Sequence, residues 1–180
     1  YRMSDDVLST FISNYITSQP TPIVEFVWQG GNGRGGKKVF ARFLSSAGSF
    51  VTGDIRVSAY TNGFQIHPDV ATLADGSVVV VWSSFGQDGS LQGVYGQRFA
   101  PNGNMLGGEF RVNQFTPNNQ RTPAVAGLTN GGFVVVWVSE LQRASSSIDV
   151  YARLFNSTGG AVGDEFPVNF SATNTCANPS

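Results

Sequence analysis

The sequence predicts an all-β protein of three four-stranded antiparallel blades, each of about 55 residues, in a propeller-like array. The first observation is a repeat, because Gly-Ser-Val-Val-Val-Val-Trp at residues 76–82 returns as Gly-Gly-Phe-Val-Val-Val-Trp at residues 131–137. A more divergent copy, Pro-Ile-Val-Glu-Phe-Val-Trp, ends at Trp28, so all 3 tryptophans share one position. The second observation is composition, because the chain has 22 glycines and no stretch with sustained helical apolar periodicity.

The middle repeat, residues 67–120, shows the strand pattern most clearly. Its Asp75-Gly76 pair lies between two apolar runs and favours a type I′ hairpin, whose two central residues both need positive φ. Pro101-Asn102-Gly103 marks a second turn. The runs between the turns predict four antiparallel strands, at residues 67–73, 77–83, 94–99 and 109–113.

The two outer repeats follow the same plan. Repeat three, residues 121–170, has Asn130-Gly131 at the hairpin position. Repeat one, residues 13–66, has Thr21-Pro22 there, so it retains the strands without the hairpin glycine. Its predicted strands include residues 13–19, 22–28 and 54–57.

The two ends of the chain lie outside the repeats. Residues 1–12 are predicted to form a preceding strand or linker, and residues 171–180 a C-terminal tail. The chain starts at Tyr1 without a signal peptide, which we interpret as a mature or excised piece of a longer protein. Cys176 is the only cysteine, so it is either free or bonded to another chain or segment.

The second strand of the middle repeat indicates how the repeats pack. The strand that ends at Trp82 carries valines on both faces, and such a strand is buried on both faces. A blade that lies between two neighbouring blades meets this condition. We therefore expect Trp28, Trp82 and Trp137 to belong to the structural core.

Two polar positions interrupt the apolar strands. Glu25 replaces a valine in repeat one, so we expect that face to be exposed to water, or Glu25 to pair with Arg42. Arg42, Gln97 and Arg153 share one position in the third strand. We interpret this position as a hydrogen-bond donor at the blade edge, with a functional role as the alternative.

Few residues form clusters that carry chemistry. The net charge is −1 with dispersed basic residues, which gives no nucleic-acid footprint, and no run of 18 apolar residues predicts a membrane span. His67 is the only histidine, so neither a Ser-His-Asp triad nor a His/Cys metal cluster is predicted. Asp88, in the sequence Gln-Asp-Gly, is a weak candidate for one calcium ion, with a solvated turn as the alternative. No other cofactor is predicted.

The placement of the acidic residues favours a protein that is not an enzyme. Glycoside hydrolysis uses two carboxylates that converge on one pocket. Several acidic residues here begin predicted fourth strands, the outermost strands of a blade: Asp54, Glu109, Asp164 and Glu165. Because a central active site would need acids elsewhere, the sequence predicts no catalytic residue.

Two triplets match the N-glycosylation acceptor pattern, Asn156-Ser157-Thr158 and Asn169-Phe170-Ser171. Asn156 lies in the turn after a third strand, whereas Asn169 ends the last strand. We predict both as glycosylation sites if the protein passes through a eukaryotic secretory pathway, with Asn156 the more accessible. The alternative is that both are ordinary turn residues.

Four sequence elements of the repeat carry a resemblance to a known family: Gly-Gly-Phe-Val-Val-Val-Trp, Gln-Asp-Gly, Val-Tyr-Gly-Gln-Arg-Phe and Gly-Gly-Glu-Phe-Arg-Val-Asn. With these elements the repeat resembles a tandem β-propeller-like repeat of large secreted and surface-attached adhesin-like proteins. The resemblance covers about residues 13–170. It implies an extracellular or cell-surface location and a non-enzymatic structural or adhesive module of a larger assembly or filament. The alternative is a carbohydrate-binding, lectin-like propeller whose partners are glycans.

Assembly is the last expectation. Propellers close with about four to eight blades, so three repeats do not make such a ring alone. Repeat three remains apolar on both faces at residues 133–136. We therefore expect its free face to meet another copy of the chain or another segment of a larger parent protein. A closed barrel of three repeats is the alternative.

Overall fold

The computed structural model describes residues 24–31, 36–45 and 47–170, together with Cys176 and Pro179. These residues form eleven β-strands and no helix, so the predicted all-β class is confirmed, and none of them belongs to a helix that could cross a bilayer. The strands are β1 Val24–Gly30, β2 Lys38–Leu44, β3 Ile55–Arg56, β4 Gln65–Thr72, β5 Val78–Phe85, β6 Gln92–Phe99, β7 Met105–Arg111, β8 Gln120–Gly127, β9 Phe133–Glu140, β10 Ile148–Phe155 and β11 Ala161–Pro167.

The strands form three open antiparallel sheets. Sheet A contains β1–β3, sheet B β4–β7 and sheet C β8–β11, and within each sheet strands that follow each other in sequence pair side by side. The strand predicted at residues 13–19 lies outside the described residues, so sheet A has three strands in the described part of the chain. Gly76 and Gly131 have φ of 79° and 84°, but Asp75 and Asn130 do not have positive φ, so the predicted type I′ turn is wrong. The bonds from Gly76 N to Leu73 O and from Leu73 N to Ser77 O instead close a longer turn in which the glycine alone is left-handed.

The fourth strand of sheet B begins earlier than the sequence predicts, whereas the strand predicted at residues 54–57 is shorter, as β3. β7 starts at Met105 rather than at residue 109, because the turn at Gly103 returns the chain directly into the ladder. A bulge at Gly107, with φ of 74°, then resets the register. The predicted strand at residues 109–113 is therefore the second half of a longer, bulged strand.

One position is equivalent in β2, β6 and β10 and is held by Arg42, Gln97 and Arg153. Each of these side chains donates a hydrogen bond to the carbonyl ten residues further on, which ties its strand to the chain that follows. The acceptors are Thr52, Gly107 and Gly163, at 3.3, 3.2 and 3.2 Å. The guanidinium of Arg42 also lies 3.5 Å from the centroid of the Phe50 ring. The predicted pairing of Glu25 falls outside the described side chains.

Sheet B lies between sheets A and C, and a hydrophobic core fills each gap. Val78, Val80 and Trp82 of β5 face sheet A, whereas Val79 and Val81 face sheet C. All five side chains are fully buried, as expected for a strand that is apolar on both faces. The A–B core also contains Val39, Ala41, Phe43, Val57, Tyr95 and Phe99, and the B–C core Leu73, Val94, Val112, Phe133, Val135, Trp137, Tyr151 and Phe155.

The three tryptophans differ in burial. Trp82 and Trp137 are fully buried, each against the preceding sheet. Trp28 is half-buried and stacks on Phe40, with ring centroids 5.8 Å apart. A tryptophan that removes roughly 150–250 Å² from water contributes up to about 4–6 kcal/mol, so the two buried rings are major contributions to the cores.

Candidate functional site

The two predicted glycosylation sites lie in different surroundings. Asn156 is exposed in the β10–β11 turn, where its Oδ1 accepts hydrogen bonds from Thr158 N, at 3.0 Å, and Gly160 N, at 2.8 Å. The Asn169 side chain is part of the fold, because Oδ1 accepts from Val150 N and Nδ2 donates to Asp149 Oδ1, both at 2.8 Å. Of the two, only Asn156 presents its side chain on an exposed turn.

Asp88, the weak calcium candidate, lies in the loop between β5 and β6. Its Oδ1 accepts a hydrogen bond from Ser90 N at 3.1 Å. Among the described residues no group of three His, Cys, Asp or Glu side chains is arranged to hold a metal ion. The corresponding residue of sheet C is Arg143, which pairs with the buried Asp149, so this loop position carries opposite charges in the two sheets.

The acidic residues of the fourth strands hold neighbouring sheets together. Glu109 Oε2 accepts the Ala59 N–H at 2.8 Å, across the boundary between sheets A and B. Glu165 Oε2 accepts the Gln114 N–H at 2.5 Å, across the next boundary. Asp164 Oδ1 accepts a further bond from the Gln114 side chain at 2.7 Å. These carboxylates therefore have a structural use.

A cleft of about 320 Å³ lies between the first strands of sheets B and C. Both strands are bulged there, because the register shifts between Ile66 and Asp69 in β4 and between Arg121 and Ala124 in β8. The bulges place His67 and Thr122 at positive φ, 52° and 50°. Such a conformation is strained for a β-branched threonine, and strain of this kind concentrates at functional sites. The lining residues are His67, Pro68, Asp69, Thr122, Pro123, Ala124 and Pro179.

Hydrogen bonds from neighbouring sheets hold both bulges in place. The His67 N–H donates to Gln29 Oε1 of sheet A, and the Thr122 N–H donates to Ser83 Oγ of sheet B, both at 3.0 Å. Asp69 Oδ2 accepts the Val125 N–H at 2.8 Å and so joins β4 to β8. The walls of the cleft are therefore fixed by the same contacts that join the sheets.

The cleft also has a defined electrostatic character. Burial lowers the pKa of His67, and the positive charges of Arg121 and Lys37 lower it further. The imidazole is therefore neutral at neutral pH and offers one donor and one acceptor. Asp69 adds a carboxylate, so hydrogen-bond donors and acceptors both line the cleft.

Two further sets of side chains lie where the first and second strands of sheets B and C meet, at the same end of β4 and β8. Phe64 and Phe85, the aromatic pair, are 53% and 44% exposed at the point where β4 meets the end of β5, and Phe85 N donates to Phe64 O at 2.9 Å. At the same position in sheet C stand Asn119 and Glu140, which with Arg121 form the polar trio. The trio is bonded internally, from Asn119 Nδ2 to Glu140 Oε2 at 2.8 Å and from Arg121 Nε to Glu140 Oε1 at 2.7 Å.

The aromatic pair and the polar trio are joined through Gln92. This residue pairs with Phe85 in the β5–β6 ladder, and its Nε2 donates to Asn119 Oδ1 at 3.4 Å. Burial acts to raise the pKa of Glu140, but the hydrogen bonds from Asn119 and Arg121 outweigh it and hold that pKa below its ordinary value. The ionised Glu140 carboxylate is therefore linked, through Asn119 and Gln92, to the strand end that carries Phe85.

Sequence reasoning missed most of this site. Asp69 lies on a first strand, whereas the acidic residues considered from the sequence lie on fourth strands. The available signal was the recurrence of proline at Pro68 and Pro123, because proline inside a strand marks a bulge or an edge. The aromatic pair gave no such signal, since its counterparts in sheet C are polar.

Comparison with solved structures finds a shared fold. The chain matches the crystal structure of an endo-arabinase from Bacteroides thetaiotaomicron with a TM-score of 0.54 and 13% sequence identity. The match covers 82% of this chain and 58% of the other, so this chain spans less than two thirds of that protein. At this identity the likeness shows the fold alone. No protein-family model and no curated protein matches the chain.

This match overturns the prediction that the chain is not an enzyme. The prediction rested on architecture, because the fourth-strand acids were judged to lie in the wrong place for an active site. An endo-arabinase, a carbohydrate-active enzyme, shares the fold, so the architecture gives no ground for excluding catalysis. The sequence argument also considered only outer-strand acids and overlooked Asp69 of the cleft.

Proposed function

We propose that this chain binds carbohydrate in the cleft between the first strands of sheets B and C, with the aromatic pair and the polar trio as its flanks. Glycans present apolar C–H faces and a ring of hydroxyl groups. Exposed aromatic rings pack on the former, whereas amides and carboxylates exchange hydrogen bonds with the latter. A site with a few fixed polar groups beside aromatic surface is the usual form of a small-ligand site.

The observation that carries the proposal is the link through Gln92 between two unlike sets of side chains that hold equivalent positions in sheets B and C. Phe64 and Phe85 expose aromatic area that neither core uses, while Asn119 and Glu140 provide polar atoms at the same place in the next sheet. A single exposed aromatic residue needs no explanation, but a pair beside a strained cleft indicates a binding surface.

The shared fold with an endo-arabinase supports a carbohydrate as the ligand and makes arabinan the first polysaccharide to test. The cleft volume of about 320 Å³ is at the lower end of the roughly 300–1,000 Å³ usual for ligand sites, which suits a short stretch of glycan. Among the described lining residues Asp69 is the carboxylate, whereas glycoside hydrolysis uses two. We therefore propose carbohydrate binding, and the test of binding includes an assay for hydrolysis of the same polysaccharides.

The adhesive role implied by the resemblance to adhesin-like repeats is compatible with this proposal. A surface module that holds glycans is adhesive by virtue of that binding. The extracellular location belongs to the same proposal, because polysaccharides of this kind occur outside cells.

The test is a polysaccharide array that includes arabinan, followed by calorimetry on the polysaccharide that binds. The double variant Phe64→Ala/Phe85→Ala is expected to weaken the Kd at least about tenfold, which corresponds to roughly 1.4 kcal/mol. Asn119→Ala should weaken it to a smaller extent, because it removes one hydrogen-bonding group from the polar trio.

Met105→Ala is the control, since Met105 is 49% exposed on the fourth strand of sheet B and does not line the cleft. It should bind like the unaltered chain. Release of reducing ends from the bound polysaccharide would show that the chain also hydrolyses its ligand. Absence of binding to every polysaccharide, or equal affinity of the double variant and the control, would refute the proposal.

A further inference from the structure

We propose that the open face of sheet C binds sheet A of a second copy of this chain, so that copies join head to tail. The open face is the side of sheet C turned away from sheet B, opposite the residues of the B–C core. Its central side chains are apolar and include Leu128, Val134, Val136, Leu154, Val162 and Phe166. Val138 on the same face is fully buried, and the Arg121–Glu140 ion pair lies at one end of this face. An apolar sheet face of this kind needs a cover.

The covered face of sheet B shows what that cover is. Val79 and Val81 of β5 correspond in position to Val134 and Val136 of β9. Sheet C packs on the first two, which are fully buried, whereas the second two are half-buried and the neighbouring Val162 is 55% exposed. The open face thus carries the same kind of residues that sheet B uses to bind sheet C. Among the described residues, no further sheet packs on them.

In sheets B and C, a glycine turn between the third and fourth strands packs on the preceding sheet. In sheet C the turn contains Gly159, with φ of 87°, and a Cβ there would lie 2.9 Å from Arg98 Cδ of sheet B. In sheet B it contains Gly103, with φ of 83°, and a Cβ there would lie 3.3 Å from Phe43 Cδ2 of sheet A. Phe43 and Arg98 share one position, so both interfaces use the same contact.

Both halves of a third such contact are free at opposite ends of the described chain. On the open face the counterpart of Arg98 is Leu154, which with Leu128 and Val162 lines a pocket of about 160 Å³. In sheet A the corresponding turn follows β2 and contains Gly48, with φ of 78°, and no described atom lies within 4 Å of its Cβ position. The three turns close with the same bond, from the N–H of Gly48, Gly103 and Gly159 to the carbonyls of Ser45, Ala100 and Asn156, at 2.9, 2.9 and 3.0 Å.

A carboxylate completes the match. Glu109 and Glu165 each accept a main-chain N–H from the preceding sheet, as described above. Asp54 holds that position in sheet A and is exposed. Phe170, the counterpart of Gln114, is fully exposed after sheet C. In the head-to-tail pair, Asp54 of one copy accepts the Phe170 N–H of the other.

One chain therefore carries the free glycine turn and the free pocket on different surfaces, so the contact is heterologous rather than symmetric. Two copies supply six sheets, which is within the range of about four to eight in which propeller blades close into a ring. If the rotation does not close, the same contact extends into a filament. In either case the partner is a second copy of this chain.

The test is sedimentation velocity on the full chain from low to high micromolar concentration. We expect concentration-dependent assembly of the unaltered chain. Val162→Glu, which places a charge in the pocket, and Ala47→Glu, which places one beside Gly48, should each sediment as a monomer. Mixing the two variants should restore one contact per pair, because each retains the half that the other lacks, and a discrete dimer should appear.

Met105→Glu is the matched control, since Met105 is 49% exposed but lies at the edge of sheet B. It should assemble like the unaltered chain. A monomer at every concentration would overturn the proposal and leave the open face to a repeat of another chain. Assembly that survives Val162→Glu, or a variant mixture that stays monomeric, would also overturn it, the latter by indicating a symmetric contact. Melting temperatures of all variants verify that they fold.

Discussion

Sheets B and C have the same strand order, the same bulges and nearly the same second strand, but they differ in their neighbours. Among the described residues, sheet B is covered by another sheet on both sides, and sheet C on one. As a result, the valines of β5 are fully buried on both faces, whereas Val134 and Val136 of β9 are only half-buried. Burial is therefore a property of the stack of sheets and does not follow from the composition of a strand.

The loops after the second strands differ in a more informative way. In sheet B the loop supplies Asp88, and the facing strand has Gly93, whose Cβ would lie 2.6 Å from Asp88 Oδ2. In sheet C the loop supplies Arg143, and the facing strand supplies the carboxylate, Asp149. A carboxylate thus occupies corresponding space in both sheets but comes from different positions in the chain. Repeats can retain the geometry of a contact while exchanging the residue that makes it.

The largest expected effect is on the buried tryptophans. Trp82→Ala and Trp137→Ala should each lower the free energy of unfolding by about 3–5 kcal/mol, because each removes a fully buried ring from a packed core. The two costs should be similar, since both rings face a preceding sheet that is present. Urea denaturation measures them. A cost below about 1 kcal/mol for either variant would contradict the packing described for that sheet.

The next largest effect distinguishes the loop of sheet B, which contains Asp88, from the loop of sheet C, which contains Arg143. Asp149→Asn should cost about 2–3 kcal/mol, because it leaves the guanidinium of Arg143 without its buried carboxylate and alters the bond from Asn169. Asp88→Asn, the matched change in sheet B, should cost less than about 1 kcal/mol, because Asp88 is only half-buried. Equal costs in chemical denaturation would show that the two carboxylates have equivalent roles.

A matched valine pair measures the difference in burial directly. Val81→Ala should cost about 2–3 kcal/mol, since it removes buried methyl groups and leaves a cavity between sheets B and C. Val136→Ala, at the corresponding position of the open face, should cost about 1 kcal/mol or less. The measurement is made at concentrations where the chain is monomeric. A larger cost at Val136 would mean that the open face is covered within one chain.

The fold was predictable from sequence because its signals are local. Valines on both faces before Trp82, and an Asp-Gly turn at Gly76, indicate a buried strand and a hairpin without reference to distant residues. The predicted starts of the strands were less accurate, because a bulge such as that at Gly107 depends on the pairing register of two strands. The spacing of the sequence repeat does not reveal that register.

The candidate site was much less predictable because its parts come from different sheets. Phe85 and Asn119 are brought together through Gln92 by the packing of sheet C on sheet B. When the repeats are aligned, Asn119 and Glu140 stand where repeat two has Phe64 and Phe85, and this difference resembles ordinary sequence divergence. Only the stacking of the sheets shows that the unlike pairs are neighbours.

The smallest expected effect is a pH dependence that belongs to the sheet C loop. Burial acts to raise the pKa of Asp149, but hydrogen bonds from Asn169, Ser147 and Arg143 outweigh burial and hold that pKa below its ordinary value. A carboxyl with a lowered pKa in the folded state adds stability above its unfolded pKa of about 3.9, and that stability is lost as the pH falls through the folded pKa. The free energy of unfolding of the unaltered chain should therefore fall as the pH is lowered from about 5 towards 2, and the fall should be shallower in Asp149→Asn. Some slope should remain in the variant, because hydrogen bonds from Ser77 also lower the pKa of Asp75. Identical slopes in denaturation series across this range would mean that the Asp149 carboxylate gains nothing from its partners in the folded protein.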